Sequence, residues 1–192
     1  MKVAINGFGR IGKNLTRQLI EADCLSGGDG SLELVAVNDL GDVKANAHLL
    51  KFDSIHGKID NDISTVANNI IVDGKSISYI SERDPNKLPW KEHEIDVVFE
   101  CTGLFTSKEA ASAHLNAGAK RVIVSAPCTG ADKTIVFGIN HQELELNDRV
   151  ISNASCTTNC LAPIADVIHK NFTIKSGLIN TVHAATNDQS LL

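Results

Sequence analysis

Short apolar runs, bounded by polar or turn-forming residues, recur along the chain and read as strands. They cover residues 2–6, 34–37, 70–72, 76–80, 95–100, 121–125, 134–138, 150–152 and 176–183. Several are apolar at successive positions, as parallel strands covered on both faces require. Helical periods lie between them. Ile11, Leu15 and Leu19 fall on one face, with Lys13, Arg17 and Gln18 elsewhere; a second helix is predicted over 43–50. Thr106 and Glu109 have the spacing of a capping box that opens a helix running to about Ala117, with Gly118 as its stop. Leu161, Ile164, Val167 and Ile168 share a face of a helix over 161–169, which Pro163 should kink or loosen. Residues 25–31 read as a surface loop, and Asp73-Gly74-Lys75 as a hairpin turn inserted into the βαβ order. The alternation predicts an α/β fold with a doubly wound, mostly parallel sheet.

The first strand runs into Gly7-Phe8-Gly9-Arg10-Ile11-Gly12, a G-x-G-x-x-G between strand and helix. In that setting Gly7 makes a tight turn, Gly9 lets a pyrophosphate approach the backbone, and Gly12 lets helix and strand pack closely. The second strand ends at Asp39, further on than the usual ~20 residues, with the loop accounting for the excess. A carboxylate there suits the ribose hydroxyls of NAD and repels the 2′-phosphate of NADP; capping the helix at 43 is the alternative role. Gly7, Asp39, Thr102, Gly103 and Ser125 all stand at carboxyl ends of predicted strands, where open α/β sheets bind ligands. Arg83 has two readings, adenine or phosphate contact and a surface ion pair.

Ser155-Cys156-Thr157-Thr158-Asn159-Cys160 follows one strand and opens a helix. A thiol at a helix N-terminus meets free N–H groups and the positive end of the dipole, which favour the thiolate and hence nucleophilic catalysis. A buried structural cysteine is the alternative. His183, at the end of the last predicted strand, reads on its own as a core histidine. Cys160, one turn further, is expected to be buried and structural.

Composition narrows the class. The 192 residues carry a net charge of −5, with 43% hydrophobic and 21% charged residues, which gives no footprint for nucleic acid or an anionic membrane. No apolar stretch approaches the ~20 residues of a membrane span. Five scattered cysteines, with no signal peptide ahead of them, read as reduced thiols in a cytoplasmic protein, and no metal-ligand spacing is present.

With Asn6-Gly7-Phe8-Gly9-Arg10-Ile11-Gly12, Ser155 to Cys160, and Thr181-Val182-His183-Ala184-Ala185-Thr186-Asn187-Asp188-Gln189, the chain resembles the glyceraldehyde-3-phosphate dehydrogenase family, phosphorylating NAD-dependent enzymes of glycolysis. The resemblance implies a Rossmann-type NAD domain over 1–154 and the start of an α+β catalytic domain over 155–192. It implies Cys156 as nucleophile with His183 as its base. Cofactor contacts are implied for Arg10, Ile11, Asp39, Arg83 and Ser125, and substrate or phosphate contacts for Ser155, Thr157 and Thr186. The substrates would be glyceraldehyde 3-phosphate and inorganic phosphate, turned over through a hemithioacetal and a thioester to 1,3-bisphosphoglycerate. The full-length assembly would be a homotetramer. Family members continue well past this length, with a loop lining a neighbour's cofactor site and a C-terminal helix, so the chain is read as an N-terminal portion. The rivals are erythrose-4-phosphate dehydrogenase and a non-catalytic NAD-binding fragment.

Overall fold

The computed structural model describes residues 1–25 and 32–184. Its framework is β1 (Lys2–Asn6), α1 (Arg10–Glu21), β2 (Glu33–Asn38), α2 (Val43–Lys51), β3 (Phe52–Asp53), β4 (Gly57–Lys58), β5 (Ile63–Val66), β6 (Asn69–Val72), β7 (Lys75–Ile80), β8 (Val97–Glu100), α3 (Lys108–Asn116), β9 (Arg121–Val124), β10 (Lys133–Thr134), β11 (Val150–Ser152) and α4 (Cys156–Phe172). Among the described residues, nine strands form one sheet in the order β10-β11-β9-β8-β1-β2-β7-β6-β5. Neighbours are parallel from β10 to β7. Only β6 and β5 run antiparallel to theirs. This is the predicted Rossmann-type doubly wound sheet with an inserted hairpin piece.

Side-chain alternation along β1 explains the two layers. Val3 and Ile5 enter a core with Leu19, Ile20 and Leu50 of α1 and α2, whereas Ala4 faces Trp90, Val98 and Ala117 on the other side. The 70–80 hairpin turns on Asp73 (φ 48°) and Gly74 (φ 80°), the positive pair that a two-residue hairpin of matching twist needs. After α3, Gly118 (φ 109°) ends the helix as predicted, and a Cβ there would meet the Lys91 backbone at 2.8 Å.

Five expectations are corrected. Ile11 is half exposed, and Arg17, assigned to the polar side of α1, is 3% exposed. The buried guanidinium donates to the carbonyls of Leu50, Lys51 and Gly57 at 2.9, 3.0 and 2.9 Å, tying α1 to the end of α2. α3 is capped by Ser107, whose Oγ accepts from the Ala110 N–H at 3.2 Å, so the Thr106–Glu109 box does not form. The strand predicted over 134–138 stops at Thr134. There Asn140 Oδ1 accepts the Val136 N–H at 2.8 Å and closes a turn through Gly138. Residues 176–183 form no strand: among the described residues no strand pairs with them, and 173–184 are exposed without regular structure. α4 opens at Cys156, as the Ser155–Cys160 stretch predicts, but it buries no residue, so Cys160 is exposed, not buried. The 25–31 loop lies almost wholly outside the described residues.

Candidate active site

The carboxyl ends of the central strands open into two clefts that meet at Cys101. The first, of about 350 Å³, is lined by Gly7, Gly9, Asp39, Arg83 and Thr102. Gly7 (φ 91°) sits so close to β8 that a Cβ would meet the Thr102 nitrogen at 2.7 Å, and a Cβ on Gly12 would collide with the Gly7 carbonyl. Gly9 is different: nothing lies within 4 Å of its Cβ position, which leaves its backbone open to a ligand. Asp39 does not cap α2; Asp42 does, accepting from the Ala45 N–H at 2.9 Å. Instead Asp39 accepts from the Phe8 and Gly41 N–H groups, both at 2.8 Å, and from Asn46 Nδ2 at 3.2 Å. A carboxylate has about four acceptor sites, so one remains for a hydroxyl in the cleft.

The second cleft, of about 410 Å³, is lined by Ile11, Asn14, Cys101, Ser125 and Asn153. Asn14 Oδ1 is buried there without a hydrogen-bond partner, an acceptor open to a donor on a bound molecule. Burial pushes the Cys101 thiol up to about 12, so it stands as a neutral wall between the clefts. The exposed turn at Gly103 and Arg10 line neither cleft; Arg10 is ion-paired with Asp53 in a separate surface pocket that it shares with Gly9.

Asn153 leads from the second cleft to Cys156. Ala154 is buried in the left-handed region (φ 58°), a strained conformation for a residue with a Cβ. Ser155 then caps α4, its Oγ accepting the Thr158 N–H at 3.0 Å. Asn159 Nδ2 donates to the Asn153 and Ser155 carbonyls at 2.7 and 3.0 Å, stapling the first turn of the helix to the strained connection. This leaves Cys156 exposed at the first helical position. Its Sγ lies 3.0 Å from His183 Nε2. His183 Nδ1 is 2.7 Å from the Ala184 carbonyl, which can only accept, so Nδ1 carries the proton and Nε2 faces the sulfur with its lone pair. The imidazole, with help from the Thr157 N–H, pulls the Cys156 thiol below its ordinary value. The Ala184 carbonyl, and then the sulfur, hold the imidazole above its own. Both shifts favour passage of the thiol proton from Sγ to Nε2, which generates the thiolate beside an imidazolium.

Most of the predicted cofactor residues are thus gathered along one line of strand ends, and Cys156 and His183 meet although no strand delivers the histidine. Thr157 adjoins the sulfur, Ser155 is engaged as the cap, and Thr186 lies outside the described residues. Sequence reasoning missed Asn6, Asn38 and Glu82 in the first cleft and Asn153 and Asn14 in the second. The asparagines at the ends of β1 and β2 were the available signal, since a polar side chain closing an apolar strand needs a partner.

Residues 1–108 match the model of the glyceraldehyde 3-phosphate dehydrogenase NAD binding domain, and residues 155–192 that of the C-terminal domain. The chain belongs to the glyceraldehyde-3-phosphate dehydrogenase family. It is 52% identical over 193 residues to a glyceraldehyde-3-phosphate dehydrogenase of Zymomonas mobilis, and 50% identical over 192 residues to one of Xanthobacter flavus. Glyceraldehyde-3-phosphate dehydrogenase 2 of Trichormus variabilis is 53% identical over 195 residues. In each case the whole chain aligns with 56% of the relative's length, so the chain spans about half of the curated relatives it matches. Every residue lining the first cleft falls within the NAD binding domain of the glyceraldehyde-3-phosphate dehydrogenase model, and the C-terminal model begins at Ser155, the cap of α4.

Proposed function

We propose that this sequence carries the NAD site and the nucleophile of a phosphorylating glyceraldehyde-3-phosphate dehydrogenase. Residues 1–154 form the nucleotide domain, and 155–192 open the catalytic domain. The carrying observation is the 3.0 Å approach of Cys156 Sγ and His183 Nε2 at a helix N-terminus beside the second cleft. The open backbone at Gly9, the spare acceptor on Asp39 and the orphaned Asn14 oxygen fit a dinucleotide. Gly7, Gly9, Asp39, Arg83 and Thr102 hold its adenosine half, and Arg10 and Ile11 stand by the pyrophosphate. Gly12 lets α1 approach, Gly103 shapes the turn after β8, and Ser125 serves the nicotinamide half. Bound NAD supplies a two-electron acceptor for the hydride.

The chain's own residues do the rest. His183 Nε2 takes the Cys156 proton, and the thiolate attacks the aldehyde carbon of glyceraldehyde 3-phosphate to form a hemithioacetal. The Cys156 N–H and the imidazolium hold the developing oxyanion. Once the hydride has left, the thioester on Cys156 is cleaved by inorganic phosphate, which releases the acyl phosphate and returns the thiolate. Ser155, Thr157 and Thr186 are assigned to the two phosphates, for which their hydroxyls and the helix N-terminal N–H groups are suited. The reaction belongs to glycolysis, in the cytoplasm, and the full-length protein is a homotetramer.

The test is phosphate-dependent NADH formation from glyceraldehyde 3-phosphate in a chain extended to the length of its relatives, with and without Cys156→Ser. Loss of turnover with NAD binding intact is the expected outcome. Faster turnover of erythrose 4-phosphate would move the assignment to that dehydrogenase. Turnover unaffected by Cys156→Ser would end it.

A further inference from the structure

Beneath the first cleft lies a polar chain built on Glu100 and His114, two buried residues to which the chemistry above assigns no part. Glu100, the last residue of β8, is 1% exposed. Its Oε1 accepts the Thr102 N–H at 2.7 Å and also the Thr102 hydroxyl. Its Oε2 accepts Asn6 Nδ2 at 2.6 Å and lies 2.8 Å from Nε2 of His114, which is fully buried. The ring's other nitrogen, Nδ1, faces the Trp90 indole N–H at 3.0 Å. An indole N–H only donates, so Nδ1 is the acceptor and Nε2 carries the proton given to Glu100. Trp90 thus selects the tautomer, and the tautomer completes four donors around one buried carboxylate with no lysine or arginine among them.

Both ends of this chain reach the cleft. On one side the Thr102 hydroxyl accepts the Leu104 N–H at 3.0 Å, fixing the turn through Gly103 whose Thr102 and Leu104 line the wall. On the other, Asn6 Oδ1 accepts Asn38 Nδ2 at 2.7 Å, and Asn38 holds the Glu82 N–H and carbonyl, both at 2.9 Å. Asn6, Asn38 and Glu82 also line the cleft.

We propose that Glu100, oriented by His114 and Trp90, is a positioning residue for the dinucleotide: it holds the Thr102 wall and the Asn6–Asn38 floor in their binding arrangement without touching the ligand. The proposal rests on the NAD reading of the cleft. A carboxamide at 100 has the same shape, but its NH₂ must face a donor, so part of the arrangement is lost while the core stays filled.

Calorimetric titration of NAD into the 192-residue chain tests this, with urea midpoints measured alongside. Glu100→Gln should weaken NAD binding by about tenfold. His114→Leu should weaken it as well, and His114→Gln, which returns a donor to Glu100, should recover most of the affinity. In an extended, active chain the loss should appear in KM for NAD with kcat and KM for the aldehyde unchanged. Folded Glu100→Gln with wild-type affinity overturns the proposal alone. If that variant fails to fold, equal affinities for His114→Leu and His114→Gln overturn it. A wild-type chain that binds no NAD overturns the cofactor reading and the proposal together.

Discussion

His183 Nε2 lies 3.0 Å from Cys156 Sγ across 27 residues of chain, and the segment carrying the histidine belongs to no strand or helix. The contact is made by two exposed side chains, so its chemistry is set by the hydrogen bonds of each partner and not by a sealed pocket. The Thr157 N–H supports the sulfur, and the Ala184 carbonyl fixes the imidazole.

Thiol reactivity should follow that arrangement. Cys156 is held below the ordinary thiol value, with His183 as the first cause, whereas burial holds Cys101 and Cys128 above it. Iodoacetamide should alkylate Cys156 first, and its rate should plateau as pH rises through the lowered value. His183→Ala should move that rise to higher pH. Peptide mapping that finds Cys160 modified ahead of Cys156 would exchange their roles.

The glycines of the first turn should separate stability from binding. Gly9→Ala adds a methyl to open space, so the urea midpoint should hold while NAD affinity falls. Gly12→Ala drives a methyl into the Gly7 carbonyl and should cost about 1–3 kcal/mol. Equal midpoint losses in the two variants would contradict this division.

Arg17→Met should be destabilising by about 2–4 kcal/mol, because it strips the buried guanidinium's donors from three carbonyls, that of buried Leu50 among them. Chemical denaturation measures it. A cost under about 0.5 kcal/mol, the range of a surface substitution, would mean that the guanidinium is not the tie between α1 and α2.

Acid should act through Asp132. Lys108, and then the Val150 and Arg149 N–H groups, hold its carboxyl down to about 2 from an ordinary 3.8. A lowered folded-state value contributes stability that is full above the unfolded value and is lost as pH falls through the folded one. Asp132→Asn should therefore lower the midpoint at neutral pH and narrow its gap from the wild type between about pH 4 and 2. A gap that stays constant over that range would remove the assignment.

The sequence by itself determined whatever rests on neighbouring residues. Apolar runs located β1, β2, β8 and β9, Asp73-Gly74 located the hairpin, and Gly118 located the end of α3, because backbone sterics and local periodicity act over a few residues. The glycine turn and a cysteine at a helix start were legible for the same reason. Tertiary structure decided what depends on partners far along the chain. Arg17 is buried because the carbonyls at the end of α2 come to it, and Ile11 is exposed because its side of α1 borders a cleft instead of a core. Residues 176–183 have strand composition but meet no neighbouring strand among the described residues, and a strand is stabilised only by pairing. Glu100 and His114 are polar residues of a strand end and a helix, with no local pattern that marks them as core. They are buried because Asn6, Thr102 and Trp90 complete their hydrogen bonds, and only the folded sheet brings those groups together.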